Sequence, residues 1–481
     1  MYNYKISRGL ILFITAIAIG FSSCHTYKDL PEAPPVDAQG ILREDSVMKA
    51  DTSVVNKADT ARVDTASIAS IPWKGYFTDP KLQALINEGL ANNVDMQVAI
   101  TRITQAEASL SMARGASLPT VAAAAMVDHT RTSANGDILS TATNIASLGF
   151  SATWEIDLWG KLSNQSRAKY ASYLSSYEYR NLIQTTLISN IAKAYYTLMA
   201  ADKQLKITKE TIALLEKSTE TIAALKEAGQ QNAAAVEQSR ALLYNTQLSV
   251  PTLESQIRKQ ENAICVMVGR KPSAIDRDSL DRQNVTPNLD YGVPAQILAR
   301  RPDVKQAELS FRAAYSITRA AKANLYPSFT ISSARLGVAA GHFSDLFKPE
   351  AIAAEIVAGL TQPILNKKQV RGNLKIAQAQ QEEALAEFKY TVLAAGQEVS
   401  DILFSYNASL SKNEFRDKQI ASLTNAVDFT QELLLAGEAN YTEVLSAQQS
   451  LLSAQLNQVN DKLEQLTYSV SLYKALGGGL Q

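Results

Sequence analysis

The chain has 481 residues, 47 Lys plus Arg against 47 Asp plus Glu, and a formal net charge of zero. That balance leaves no basic patch to argue for nucleic acid as a partner. Three His and two Cys, all scattered, leave no metal constellation, and no Ser-His-Asp set or Gly-rich phosphate loop is present, so neither an enzyme nor a cofactor is expected.

The N-terminus reads MYNYKISRGLILFITAIAIGFSSC. Lys5 and Arg8 precede an apolar run from Leu10 to Phe21, and small Ser22 and Ser23 lead to Cys24. A basic, apolar, small-residue order is that of an export signal. The run falls short of the roughly 20 apolar residues a spanning helix needs. Small residues before a cysteine resemble a bacterial lipoprotein signal, although Phe21 stands where Leu is usual. Residues 1–23 would then be removed and Cys24 would become the lipidated first residue; the alternative is an ordinary signal with an incidental cysteine. Cys265 would remain without an intrachain disulfide partner, and its apolar surroundings read as core. Residues 24–71 are rich in Asp, Thr, Ser and Ala with no hydrophobic period, which predicts a flexible tether.

The body is written twice. Gly269 and Gly477 lie 208 residues apart, and the same offset pairs Pro119 with Pro327, Ile156 with Ile364, Gly229 with Gly437 and Val236 with Val444. Leu243, Gln247 and Leu248 meet Leu451, Gln455 and Leu456. Matches at Gly and Pro are harder to reach by chance than matches at Ala and Leu. Two repeats follow, 72–273 and 294–481, with a linker at 274–293.

Each copy has one order of elements. A helical stretch, 95–119 or 303–327, runs up to a proline. A strand hairpin comes next. Leu148, Phe150, Ala152, Trp154, Ile156 and Leu158 alternate with Ser147, Gly149, Ser151, Thr153, Glu155 and Asp157, giving an apolar and a polar face. In the second copy Ile352, Ala354, Ile356, Ala358 and Leu360 alternate with Glu355, Gly359 and Thr361. The partner strands, "TVAAAAMVDHTR" and "SFTISSARLGV", alternate poorly and leave their register open. Hairpin loops are predicted at 132–144 and 339–350. A very long helix then follows. Ile188, Ile191, Tyr195 and Leu198, and Phe388, Val392, Ala395, Val399, Ile402 and Tyr406, step by threes and fours in coiled-coil fashion. Nearly 70 helical residues would span about 100 Å. Gly229 and Gly437 break these runs, and a second helix returns from each. Pro251 has no counterpart in the second copy, where Val459 stands, so a kink or break is expected there.

"RRPD", Arg300, Arg301, Pro302 and Asp303, reads as a helix start, with Pro early and Asp in the first turn, rather than as a catalytic set. Arg300 or Arg301 is left to pair with a neighbouring chain.

Four strands cannot close a barrel, and lipid tolerates no open sheet edge. Strands of this length cross an outer membrane at a tilt. Several chains must therefore share one barrel, continued by their long helices.

In "PWKGYFTDPKLQALINEGLANNVDMQVAITRI", "WEIDLWGKL", "RRPDVKQAELSFRAA", "QPILNKKQVRGNL" and "YKALGGGL", which holds Gly477, the chain resembles the TolC-like outer membrane factors, and most nearly their NodT-type lipoprotein branch. The resemblance runs from about Pro72 to Leu480. It implies a mainly α protomer with transmembrane β-strands. Three protomers would make a homotrimer with a twelve-stranded barrel in outer membrane lipid and a coiled-coil tunnel in the periplasm. It implies a periplasmic adaptor protein and an inner-membrane pump, commonly of the proton-driven RND type, with small molecules leaving through the duct. It places the adaptor contacts and gate at the helical turns Glu227 to Val236 and Ala436 to Leu445. The family often has acidic residues six and nine positions after the second tip glycine. Glu443 fits the first place; Ser446 departs at the second, so a double acidic ring is not expected. A solvated helix face is the plainer reading of Glu443.

A periplasmic coiled-coil scaffold lipoprotein is the rival reading, opposed by the alternating face around Trp154 and by Trp159. A duct for type I protein secretion is a variant of the first.

Overall fold

The computed structural model describes residues 34, 71–132, 141–283, 295–340, 345–346, 348–364 and 368–480. Cys24, nearly all of the tether and the centre of the first hairpin loop lie outside them. Two short helices, α1 (Trp73–Tyr76) and α2 (Pro80–Asn92), lead in. Asp79 starts α2: its carboxylate accepts from the backbone N–H of Lys81 and Leu82, and Pro80 takes the first helical place.

One order of elements then occurs twice. The first copy is α3 (Val94–Gly115), β1 (Thr120–Thr132), β2 (Thr141–Ile156), α4 (Lys161–Glu227) and α5 (Ala233–Met267). The second is α6 (Pro302–Ala323), β3 (Ser328–Ala340), β4 (Ile352–Thr361), α7 (Gln369–Ala436) and α8 (Tyr441–Ala475). Matched helices are nearly equal in length: 22 and 22 residues, 67 and 68, 35 and 35. α3 and α6 each stop four residues short of the proline that the sequence marks as the limit.

The chain forms two compact units, each drawing on both copies. One gathers Arg102–Tyr177 and Gln306–Lys389; the other gathers 71–101, Glu178–Lys305 and 390–480.

The first unit holds the sheet, β1-β2-β3-β4, antiparallel throughout. β1 pairs β2 without a shift, Val121 opposite Ala152 and Ala125 opposite Leu148. β3 carries one extra residue at Ser332, which shifts register against both neighbours. The bulge explains why β3 alternates poorly as a sequence. Phe329 and Ile331 precede it on odd positions; Leu336 and Val338 follow on even ones, yet all four pair with apolar residues of β2 and β4. Gly149 and Gly337 are direct partners, and a Cβ on Gly149 would lie 2.6 Å from the Leu336 carbonyl oxygen. Leu158, expected on the apolar strand face, falls past the end of β2, because the chain turns there to begin α4. Asp157 makes that turn, accepting from the N–H of Leu162 and Ser163.

The second unit is helical. Ile188, Ile191, Tyr195, Leu198, Val392, Ala395, Val399 and Tyr406 are buried as their spacing predicts, and Ile402 is half-buried; Phe388, which belongs to the first unit, is buried as well. The aromatic core joins both ends of the chain: Tyr76 stacks on Tyr473 with ring centroids 4.2 Å apart, and the Tyr76 hydroxyl donates to the Ser469 carbonyl at 2.9 Å. The break expected at Pro251 is absent, since α5 runs through it. Pro251 is exposed, so water can meet the carbonyl that loses its N–H partner.

Candidate functional site

The tips where the long helices turn are built alike. At the first, Gly229 has φ +75°, and the N–H groups of Gly229 and Gln230 donate to the carbonyls of Lys226 and Leu225, both at 2.9 Å. At the second, Gly437 has φ +77°, and Glu438 N–H donates to the Leu433 carbonyl at 2.9 Å. A left-handed glycine that closes the last helical carbonyls is a glycine C-cap. Three residues on, Asn232 accepts from Ala235 N–H and Asn440 from Thr442 N–H, starting α5 and α8. The asparagines obey the 208-residue offset, so the sequence carried their signal, which motif reasoning missed.

Both tips share one small core. Ile222, Ala235 and Val236 of the first copy pack with Leu445 of the second, flanked by Ala223, Leu242 and Tyr441. Glu443 lies exposed in the first turn of α8, where a helix N-terminus favours an anion. Ser446, three residues on, is exposed as well. Ala235 occupies the matching place in the first copy and is buried, so that position carries a carboxylate in the second copy alone.

The "RRPD" segment is a joint. Pro302 opens α6, and Asp303 is in its first turn. Arg301 is buried and makes four bonds: two to the Asp303 carboxylate at 3.0 and 2.8 Å, one to Glu398 at 2.7 Å and one to the Ala475 carbonyl at 2.9 Å. Arg301 therefore pairs within its own chain, and Arg300 is exposed. Burial pushes the Asp303 carboxyl up, but the Arg301 guanidinium outweighs it and holds it below the usual carboxylate range. Beside the joint Gly477 takes φ +81°, as its counterpart Gly269 takes φ +73°.

The sheet supplies the third element. No described helix is long and apolar enough to cross a membrane. On one face of the sheet Leu148, Phe150, Leu336, Ile352, Ile356 and Leu360 are all exposed in the single chain. Trp154 and Ile156 continue β2 half-buried, and the Trp154 indole N–H donates to the Ser117 carbonyl at 2.9 Å. Its counterpart in the second copy, Gln362, donates to the Leu325 carbonyl at 3.3 Å. Trp159 and Tyr326 stack, exposed, at a ring distance of 5.0 Å. Among the described residues, β1 and β4 each leave one edge without a partner strand.

The profile of a family described as outer membrane efflux protein matches residues 85–270 and 293–478, two stretches whose starts and ends both lie 208 residues apart. The toluene efflux pump outer membrane protein TtgC of Pseudomonas putida is 30% identical over 496 residues, covering 98% of this chain and 95% of that protein. The probable outer membrane lipoprotein SilC of Salmonella typhimurium is 27% identical over 410 residues, covering 85% and 88%. Among solved structures, the outer-membrane channel OprN superposes with a TM-score of 0.82 at 26% identity, over 89% of this chain and 98% of that one.

Proposed function

Since the chain belongs to the outer membrane efflux protein family, we propose that it forms the exit duct of a tripartite efflux system, passing small molecules such as toxic compounds, drugs or metals from periplasm to exterior. The observation that carries this is the open four-stranded sheet. Its apolar face is exposed, neither edge has a partner strand among the described residues, and each hairpin leads into a helix of 67 or 68 residues. An open apolar sheet is untenable in water or in lipid unless other strands close it. Three copies supply twelve strands, enough for a barrel with a lumen. Leu148, Phe150, Trp154 and Ile156 then face lipid, and Cys24 anchors the chain to the outer membrane. The paired tips at Gly229 and Gly437 are the place for a periplasmic adaptor, behind which a pump of the RND type supplies the energy. Glu443, repeated in three copies, forms a carboxylate ring that favours cations.

Oligomer mass in detergent, with heated and unheated gel migration, tests the reading. A trimer that migrates compactly until heated is expected. A monomer with no heat-dependent shift would favour the scaffold reading instead.

A further inference from the structure

Ile222, Ala235, Val236 and Leu445 form the apolar layer that the two tips share. α4 runs towards the tips, whereas α5 and α8 run away from them. One helical turn farther from the tips is therefore three residues back from Ile222 and three residues on from Val236 and Leu445. Those places hold Thr219, Ser239 and Gln448, and all three are buried. The layer behind the apolar one is polar on all three helices. Thr219 and Ser239 satisfy each other, with their hydroxyl oxygens 2.7 Å apart. Gln448 is 7% exposed, and neither its amide oxygen nor its amide nitrogen meets a hydrogen-bond partner among the described residues.

A primary amide brings two N–H donors and an acceptor oxygen. Taking them out of water without new partners is unfavourable, and the cost falls on the packed arrangement alone. An arrangement that admits water to the amide escapes it. The positions beside Gln448 do not share this cost. Val444 and Leu445 are apolar and buried, while Ser446 and Gln449 are exposed. The first copy differs as well: the counterpart of Gln448 is Arg240, which is exposed and donates to the Glu237 carboxylate at 2.8 Å.

We propose that Gln448 is a weakness built into the packed tip. Its unpaired amide raises the free energy of the packed state and so lowers the cost of parting α8 from α4 and α5. Once α8 leans away, the amide regains hydrogen bonds to water. Gln448 acts through the packing of the helices, so it is a positioning residue for the tip. Sequence alone hides it, because a glutamine between exposed neighbours reads as a solvated helix face. That parting the tip helices opens a passage rests on the duct reading above; that Gln448 weakens their packing does not.

The test is amide hydrogen exchange, read by mass spectrometry on the purified full chain, for Gln448→Met and for the exposed neighbour Gln449→Met as its control. Methionine is unbranched like glutamine, fills irregular gaps and has a similar helix propensity, so the difference between the two variants reports the buried amide. Exchange over residues 233–243 and 441–452 should slow roughly tenfold in Gln448→Met and stay at the parent rate in Gln449→Met. Unchanged or faster exchange in Gln448→Met would mean that the amide holds the tip together, and would overturn the proposal. Single-channel recording then separates the proposal from the duct reading. Gln448→Met should spend less time open than the parent. Slowed exchange with undiminished open time would overturn the part of Gln448 in opening and leave the duct reading intact. Slowed exchange in a protein that never conducts would support the weakness and remove the duct reading.

Discussion

Arg301 reaches from the start of α6 to the end of α8, where its guanidinium donates to the Ala475 carbonyl at 2.9 Å. Subtracting the repeat offset turns this pair into Asn93 and Met267, and the Asn93 amide donates to the Met267 carbonyl, again at 2.9 Å. Different chemistry thus closes the same joint in both copies: a charged fork with two carboxylates in one, a neutral amide that also caps α3 in the other.

Arg301→Ala is expected to destabilise more than Asn93→Ala. The first leaves Asp303 and Glu398 without their cation; removing one partner of a fully buried pair costs about 3–5 kcal/mol. Both carboxylates keep some solvent access, so about 2–4 kcal/mol is expected. Asn93→Ala loses one buried bond and one cap, about 1–2 kcal/mol. Thermal midpoints of the purified protein check the order.

The joint also sets a dependence on pH. The Asp303 carboxyl is held below its ordinary value in the folded chain. A lowered folded value means that the unfolded chain takes up the proton first as pH falls. The stability that Asp303 contributes is therefore whole near neutrality and is lost as pH drops from the usual carboxylate range of about 4 through its lowered value. Asp303→Asn should be less stable at pH 7, and the gap should narrow in acid. A gap that stays constant from pH 7 down to the acid limit of folding would contradict the assignment.

Two glycines separate conformational strain from crowding. Gly437 has φ +77° with nothing within 4 Å of a Cβ, so Gly437→Ala should cost only the left-handed penalty, about 1–2 kcal/mol. Gly269 has φ +73°, and a Cβ there would lie 2.6 Å from the Asn92 carbonyl oxygen, so the backbone must also move. Gly269→Ala should lower the thermal midpoint clearly further than Gly437→Ala.

Crowding in the sheet has a separate readout. Gly149→Ala sets a Cβ against the opposite backbone at Leu336 and Gly337. Compact migration on unheated gels should weaken, while the helical circular dichroism should stay near that of the parent.

The twofold order of elements, the long helices, the tips at Gly229 and Gly437 and the strands β2 and β4 were legible from spacing alone. The partner strands β1 and β3 were legible in extent but not in register: in β1 the run Ala122 to Ala125 has no alternation of polarity, and in β3 the bulge at Ser332 reverses the parity of the apolar positions. The partners of Arg301 escaped because one is a backbone carbonyl and another lies 97 residues away, beyond any local pattern. Of the kink or break expected at Pro251, the break did not occur. A proline on an exposed helical face removes a bond that solvent can replace, and the helix continued.

The central claim is a gated duct whose gate lies at the tips, and single-channel recording of the protein in a planar bilayer tests it most directly. The parent should show small or flickering conductance. Substitutions from Gly437 to Glu443 should open it, and Glu443→Gln should reduce the preference for cations over anions. A protein that never conducts with any of these tip substitutions would contradict the account.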